Sequence, residues 1–317
     1  MISPTGCAML VLLGPTGVGK TDIAFQVARK LRGEIISADS RLVYRMMDIG
    51  TAKPDPAMRR EIRHHMIDLV TPDKQFTAKD FERQARHAVR EVVDRGRVPV
   101  VVGGTGLYVR ALLRGIFNGP AADRALRARL EEEARRNGPE ALWRKLFEVD
   151  PKKASQIDRA NVVRVIRALE VFQLAGRRMS DLEGEARAIE TPAVKIGLAR
   201  SPVDLKARIE GRVDRMIEAG FIEEVRGLID AGYGSSRVVR NTLGYKELLL
   251  HLEGTIAFDE AVALIKRNTR RFAKRQLTWF AREPQVDWIN LTGLEDKGAV
   301  SSICREFEER TGADLPQ

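Results

Sequence analysis

One stretch constrains this chain more than any other. Gly14-Pro15-Thr16-Gly17-Val18-Gly19-Lys20-Thr21 lies between an apolar run, Ala8 to Leu13, and a segment of helical periodicity, Asp22 to Ala28. An apolar run of that length reads as a buried strand, so strand, glycine loop and helix share one axis. The glycines let backbone N–H groups turn inward with no Cβ in the way, and the helix N-terminus adds partial positive charge. Lys20 supplies a full charge, and the Thr21 hydroxyl can ligate Mg²⁺. The pattern predicts a phosphate cradle. It specifies phosphate rather than nucleotide, although nucleotide and ATP binding are the usual association of such a loop.

Other strand signals follow in order. Gly33 to Ser40 delivers a carboxylate, Asp39, and a hydroxyl, Ser40, at its C-terminal edge, where α/β sheets hold ligands. Val98 to Val102 runs into Gly103-Gly104-Thr105, and Lys195 to Ala199 and Trp288 to Leu291 read as two more strands. Helical patterns separate them, which predicts an α/β fold: a P-loop-containing parallel sheet core flanked by helices on both faces. Between about Asn118 and Thr191 the strands vanish and charged amphipathic segments take over, such as Asp123 to Asn137 and Asn161 to Ala175. This predicts a helical insertion domain over 118–191, with the catalytic core made of 1–117 and 192–317.

Lys and Arg number 54 against 44 Asp and Glu, a net charge of +10 that suits a polyanionic partner but does not identify one. Position is more informative. Ala261 to Arg282 carries Lys266, Arg267, Arg270, Arg271, Lys274, Arg275 and Arg282 with no acidic residue, and Phe272, Trp279 and Phe280 are interleaved. Such a helix offers cations to a phosphate backbone while its aromatics pack inward. Cys7 and Cys304 stand at opposite ends without metal-ligand spacing, which argues against a disulfide framework and a zinc site and favours a reducing, cytoplasmic setting. No apolar stretch approaches the length of a membrane span. His64 and His65 are adjacent, project in different directions and lack a third ligand nearby, so turn or surface roles are expected of them.

A phosphate loop of this kind usually serves a kinase or NTPase, which needs an acidic residue on a neighbouring strand to hold Mg²⁺. The strand ending in Gly-Gly-Thr offers none; Asp39 could. What surrounds Asp39 decides the matter. Together with GPTGVGKT, the segments ADSRLVYRMMDIGTAKP (Ala38 to Pro54), HHMIDLVTPD (His64 to Asp73), VVVGGTGLYVRALLRG (Val100 to Gly115), RVIRALEVF (Arg164 to Phe172), LGYKEL (Leu243 to Leu248) and TRRFAKRQLTWF (Thr269 to Phe280) resemble the bacterial tRNA dimethylallyltransferases of the tRNA isopentenyltransferase family, in order and over nearly the whole chain.

The resemblance implies transfer of a dimethylallyl group from dimethylallyl diphosphate to N6 of the adenosine 3′-adjacent to the anticodon of tRNA. The loop from Gly14 to Thr21 would then hold a diphosphate leaving group, with Mg²⁺ on Thr21, and Asp39 matches the family's general base. That assignment makes chemical sense, because the adenine amino group is a poor nucleophile whose proton must be accepted as the C–N bond forms. Thr105 matches a threonine that touches both substrates, and Arg212 an arginine near the diphosphate, with Arg208 one turn away. Ser40, Arg41 and Leu42 match the loop that grips the flipped adenosine. Arg127 and the segment Val163, Arg164, Val165, Ile166 and Arg167 match tRNA contacts in the insertion. A monomer acting on the anticodon stem-loop is expected. Two alternatives are a P-loop small-molecule kinase and an isopentenyltransferase acting on free adenine nucleotides, and neither needs a basic helix or a helical insertion. Met46 departs from the family's usual glycine; if that position needs positive φ, Met46 costs about 1 kcal/mol or more there and the local loop must differ.

Overall fold

The computed structural model describes residues 8–312, so Cys7 lies outside the described residues. Strand β1 (Met9–Leu13) is followed by α1 (Lys20–Lys30), β2 (Glu34–Ser37), α2 (Pro56–Glu61), β3 (His64–His65), α3 (Ala78–Asp94), β4 (Pro99–Gly103) and α4 (Gly106–Arg114). Helices alone come next: α5 (Arg124–Asn137), α6 (Pro139–Val149), α7 (Pro151–Ala154), α8 (Val162–Ala175) and α9 (Met179–Gly184). The sheet resumes with β5 (Ala193–Ala199), then α10 (Pro202–Glu218), α11 (Phe221–Asp230), α12 (Arg237–Asn241), α13 (Tyr245–Leu252), α14 (Phe258–Phe280), β6 (Asp287–Asn290) and α15 (Asp296–Thr311).

The six strands form one parallel sheet in the order β3-β2-β4-β1-β5-β6. A parallel sheet is covered by helices on both faces, so its strands read as unbroken apolar runs. Every residue of β1 is buried, and Leu10 stands opposite Val100 of β4 and Val194 of β5. One core joins this sheet to Ile23, Val27 and Leu31 of α1 and to Ile303 and Phe307 of α15. A second gathers Phe221, Tyr245, Leu248 and Ile265 beneath Val43 and Met47 of the loop that follows β2. Because β2, β4 and β1 are neighbours, the residues just past their C-terminal ends, namely Asp39, Gly104-Thr105 and the glycine loop, are brought side by side.

The sheet corrects one expectation. His64 and His65 do not make a surface turn; they form the half-buried edge strand β3, paired with Ile35 and Ile36 of β2. His65 Nε2 lies 2.7 Å from the buried Glu34 carboxylate. Two residues are too few to show a period, so this strand is invisible to pattern reading. Among the described residues no group of three His, Cys, Asp or Glu is arranged to hold a metal ion. Nor is any helix among them long and apolar enough to cross a membrane.

Residues 114–188 make a second compact unit, its limits a few residues from those drawn on composition. Leu126, Leu130, Leu142, Leu146, Val165, Ile166 and Leu169 form its core. Its helices start where the sequence signals them: Asp123 caps α5 by accepting from Leu126 N–H, and Asn161 caps α8 by accepting from Arg164 N–H. Gly176, at φ 64°, ends α8.

Candidate active site and nucleic-acid surfaces

The glycine loop is tightly constrained. A Cβ on Gly14 would sit 2.6 Å from the Leu198 carbonyl oxygen, and Gly19, the N-cap of α1, has φ 105°. Pro15 and Val18 are buried beneath the loop, while Thr16 and Gly17 are half-buried. Lys20 Nζ donates to the Gly14 and Pro15 carbonyls at 2.8 and 2.7 Å, and Thr21 is exposed in the first turn of α1. Three arginines brace the loop from outside. Arg200 Nε donates to Val18 O at 2.9 Å, Arg208 Nε to Gly17 O at 3.1 Å, and Arg212 to Thr16 Oγ1 at 3.3 Å. Desolvation lowers the Lys20 amine to about 7, against the pull of Asp39 and with that of Arg212. Burial also lowers Arg212, with Asp39 opposing. The loop is therefore starved of negative charge, which suits it to a multiply charged anion.

The opposite wall comes from β2 and β4. Asp39 Oδ1 accepts from Arg41 N–H at 2.8 Å, a turn that holds the carboxylate at the strand edge. Thr105 N–H donates to Ala38 O at 3.2 Å, and Thr105 Oγ1 accepts from Ser40 N–H at 3.1 Å, so the two loops are tied to one another. Thr16, Asp39, Thr105, Arg212, Phe272 and Arg275 all line one cavity of about 300 Å³, which Ser40 and Arg41 also border. A smaller hollow of about 60 Å³ is lined by Lys20, Thr21 and Leu42, and Asp39 borders both spaces. Asp39, Thr105, Arg212 and the phosphate loop are thus brought together as the sequence predicts.

Three residues that hold this site were missed by sequence reading. Glu224 of α11 accepts from the N–H groups of Asp48, Ile49 and Gly50 at 2.8, 2.7 and 3.1 Å and from Tyr245 Oη at 2.6 Å. Lys53 is buried, with its ammonium on Tyr44 O at 2.9 Å, on Asp68 at 2.6 Å and on Asp48. Gln276 of α14 reaches both Thr16 and Gly104. Glu224 and Gln276 act on chain segments remote in sequence, and Lys53 joins turns of one irregular stretch, so no helix or strand spacing announces any of them. The segments after β2 and β3 that Glu224 and Lys53 fasten contain left-handed non-glycine residues: Met46 at φ 66° and Ala52 at 50° in the first, Met66 at 66° and Asp68 at 57° in the second. Met46 thus keeps a conformation that favours glycine, at about 1–2 kcal/mol, rather than re-routing the loop.

The surfaces expected to meet RNA divide sharply. On α14, Arg267, Arg271, Lys274 and Arg275 are exposed, whereas Lys266 pairs with Asp214 and Arg270 with Glu210. Phe280 is buried, but Phe272 does not pack inward as expected: it is exposed, lines the cavity, and has the Arg275 guanidinium 5.7 Å from its ring centre. Trp279 is half-buried beneath Arg110, 4.8 Å from the ring centre. In the helical unit, Val163 and Arg164 are exposed, but Val165 and Ile166 are buried in its core, so their side chains are packing residues and not RNA contacts. Arg127 and Arg167 both bind the fully buried Glu170, Arg127 through two bonds of 2.8 Å. Burial would raise the Glu170 carboxyl, but these two arginines and Asp123 N–H hold it down to about 2.

Comparison with known proteins follows the same lines. A family model described as IPP transferase matches residues 42–283. A tRNA dimethylallyltransferase of Thermotoga maritima is 48% identical over 294 residues, 93% of this chain and 95% of the relative, and one of Geobacter sulfurreducens is 43% identical over 301 residues, 94% and 96%. The crystal structure of a full-length tRNA isopentenylpyrophosphate transferase from Bacillus halodurans superimposes with a TM-score of 0.73 at 38% identity, covering 96% of this chain and 97% of that one. A eukaryotic dimethylallyltransferase acting on tRNA superimposes with a TM-score of 0.81 at 25% identity, covering 98% and 81%. The chain belongs to the IPP transferase family.

Proposed function

We propose that this chain transfers a dimethylallyl group from dimethylallyl diphosphate to N6 of the adenosine 3′-adjacent to the anticodon of tRNA, acting as a cytoplasmic monomer on the anticodon stem-loop. One observation carries the reading: an anion cradle and a carboxylate border one cavity, at the C-terminal ends of β1 and β2, the two strands that flank β4. In the transfer, the N6–C bond forms as the bond from that carbon to the diphosphate oxygen breaks. Asp39 accepts the N6 proton; its Oδ1 already takes the Arg41 N–H, which leaves Oδ2 for the task. Lys20, Arg212 and loop N–H groups take up the charge that grows on the departing diphosphate. Thr105 keeps Ser40 and the strand edge in place beside both partners. Leu42 offers an apolar contact in the smaller hollow.

Mg²⁺ fits the same end of the site. The exposed Thr21 hydroxyl, with diphosphate oxygens and water, makes the all-oxygen set this hard cation prefers. Bound there, the ion would supply further neutralisation of the leaving group.

The test incubates the protein with dimethylallyl diphosphate, Mg²⁺ and either tRNA, AMP or ATP, followed by analysis of modified adenosine. Product on tRNA alone is expected, with inorganic diphosphate competing against the donor. Modified AMP or ATP would support the free-nucleotide alternative; ATP hydrolysis without diphosphate competition would support a kinase. Asp39→Ala is expected to lose a factor on the order of 10²–10⁴ in rate while retaining tRNA affinity. Near wild-type turnover in that variant rejects the base assignment.

A further inference from the structure

Gln276 is 7% exposed, on a helix that presents Arg267, Arg271, Lys274 and Arg275 to solvent. Its carboxamide is used at both ends: Oε1 accepts the Thr16 N–H at 2.8 Å, and Nε2 donates to the Gly104 carbonyl at 2.8 Å. These partners lie 260 and 172 residues away in sequence, in the loops that follow the paired strands β1 and β4. Thr16 is a residue of the phosphate loop, gripped also by Arg212 through its hydroxyl. Gly104 precedes Thr105, which is bonded to Ala38 and Ser40 on either side of Asp39. A Cβ on Gly104 would lie 2.3 Å from Gln276 Nε2, so the absence of a side chain there is what lets the amide come close.

We infer that Gln276 is a positioning residue that sets the separation between the phosphate loop and the Asp39–Thr105 wall. The inference rests on the proposed transfer reaction, in which the donor carbon and the adenine nitrogen must be held at attack distance. A primary amide is the side chain that matches both demands, because it presents one acceptor and one donor at a fixed distance. Glutamate lacks the donor, methionine lacks both, and asparagine is one methylene short. Buried hydrogen-bonding groups resist being pulled from their partners, so the amide acts as a tie of fixed length. A misplacement of about 1 Å in such a site costs about 10²-fold in rate. Gln276 touches neither reactant; it acts through Thr16 and Thr105.

The experiment compares the full chain with Gln276→Met, which removes both bonds at nearly constant volume, with Gly104→Ala, which forces the amide away while leaving Gln276 in place, and with the double variant. Single-turnover rates at saturating dimethylallyl diphosphate and tRNA are measured beside KM for tRNA, diphosphate binding by calorimetry, and melting temperature. Each single variant is expected to lose about 10²-fold in the transfer rate per folded molecule, with KM for tRNA changed less than about 3-fold. The double variant is expected to lose far less than the product of the two single losses, because both act on one contact. A transfer rate per folded molecule that stays at the wild-type value in Gln276→Met overturns the inference, as do losses that multiply. A purely structural role would lower the melting temperature and the folded fraction only. Should the wild-type chain transfer nothing to tRNA, the functional reading fails first. Diphosphate affinity then tests the tie alone: a weakened affinity in Gln276→Met upholds it, and an unchanged one overturns it.

Discussion

Two regions of this protein carry basic residues that the sequence offers equally to RNA, and the structure treats them in opposite ways. On α14, Arg271 and Lys274 are exposed, three residues apart on one helix face. In the helical unit, Arg127 and Arg167 are folded against Glu170, which is fully buried and cannot stay charged without them. The first pair can neutralise phosphates without giving anything up. The second must be considered part of the unit's own core before it is considered an RNA contact. A basic residue in a chain that binds polyanions is therefore not evidence of contact until its acidic neighbours in space are known.

The largest expected effect tests the helical side of the contrast. Glu170→Gln removes the negative charge that both arginines share, and loss of one partner from a buried ionic group destabilises by about 3–5 kcal/mol. Hydrogen exchange across 114–188 in the full chain should accelerate, while exchange in β1 and β4 should not. The pH dependence follows from the direction of the shift. The Glu170 carboxyl is depressed to about 2 in the folded protein, so its contribution is complete above the ordinary carboxylate range and is lost as pH falls toward about 2. From the size of the shift that contribution is about 3 kcal/mol, and Glu170→Gln should reduce the acid sensitivity of the unit, leaving the smaller part due to Asp150. Unchanged exchange in this variant would dissolve the contrast.

The next effect tests the exposed side. Arg271→Ala with Lys274→Ala should raise KM for tRNA and flatten its salt dependence by about 0.7 log–log units for each phosphate no longer neutralised, with KM for the donor unchanged. An unaltered slope would mean that this face is only solvated. The smallest effect sharpens the boundary between the two classes. Arg164 is exposed and its neighbours Val165 and Ile166 are not, so Arg164→Ala should change the salt slope by no more than about 0.7 and leave the melting curve within about 0.5 kcal/mol of wild type. Arg127→Ala should do the reverse, lowering stability with little change in slope.

Much of the site is written in local sequence. The strand, glycine loop and helix from Ala8 to Ala28 follow from an apolar run and from glycines that admit conformations closed to other residues. Asp39 and Thr105 are legible because a parallel sheet leaves the residues after its strands at one edge, and the caps at Asp123 and Asn161 mark their helices within a single turn. What the tertiary structure decided depends on groups that meet only after folding. The edge strand at His64 and His65 exists because β2 offers it a ladder. Glu224 fastens backbone 176 residues away, Gln276 joins two walls of the cavity, and Phe272 turns to the cavity rather than to the core. Periodicity and spacing report which face of an element is apolar; they carry no record of which buried polar group will find which partner, because that pairing is a property of the packed chain.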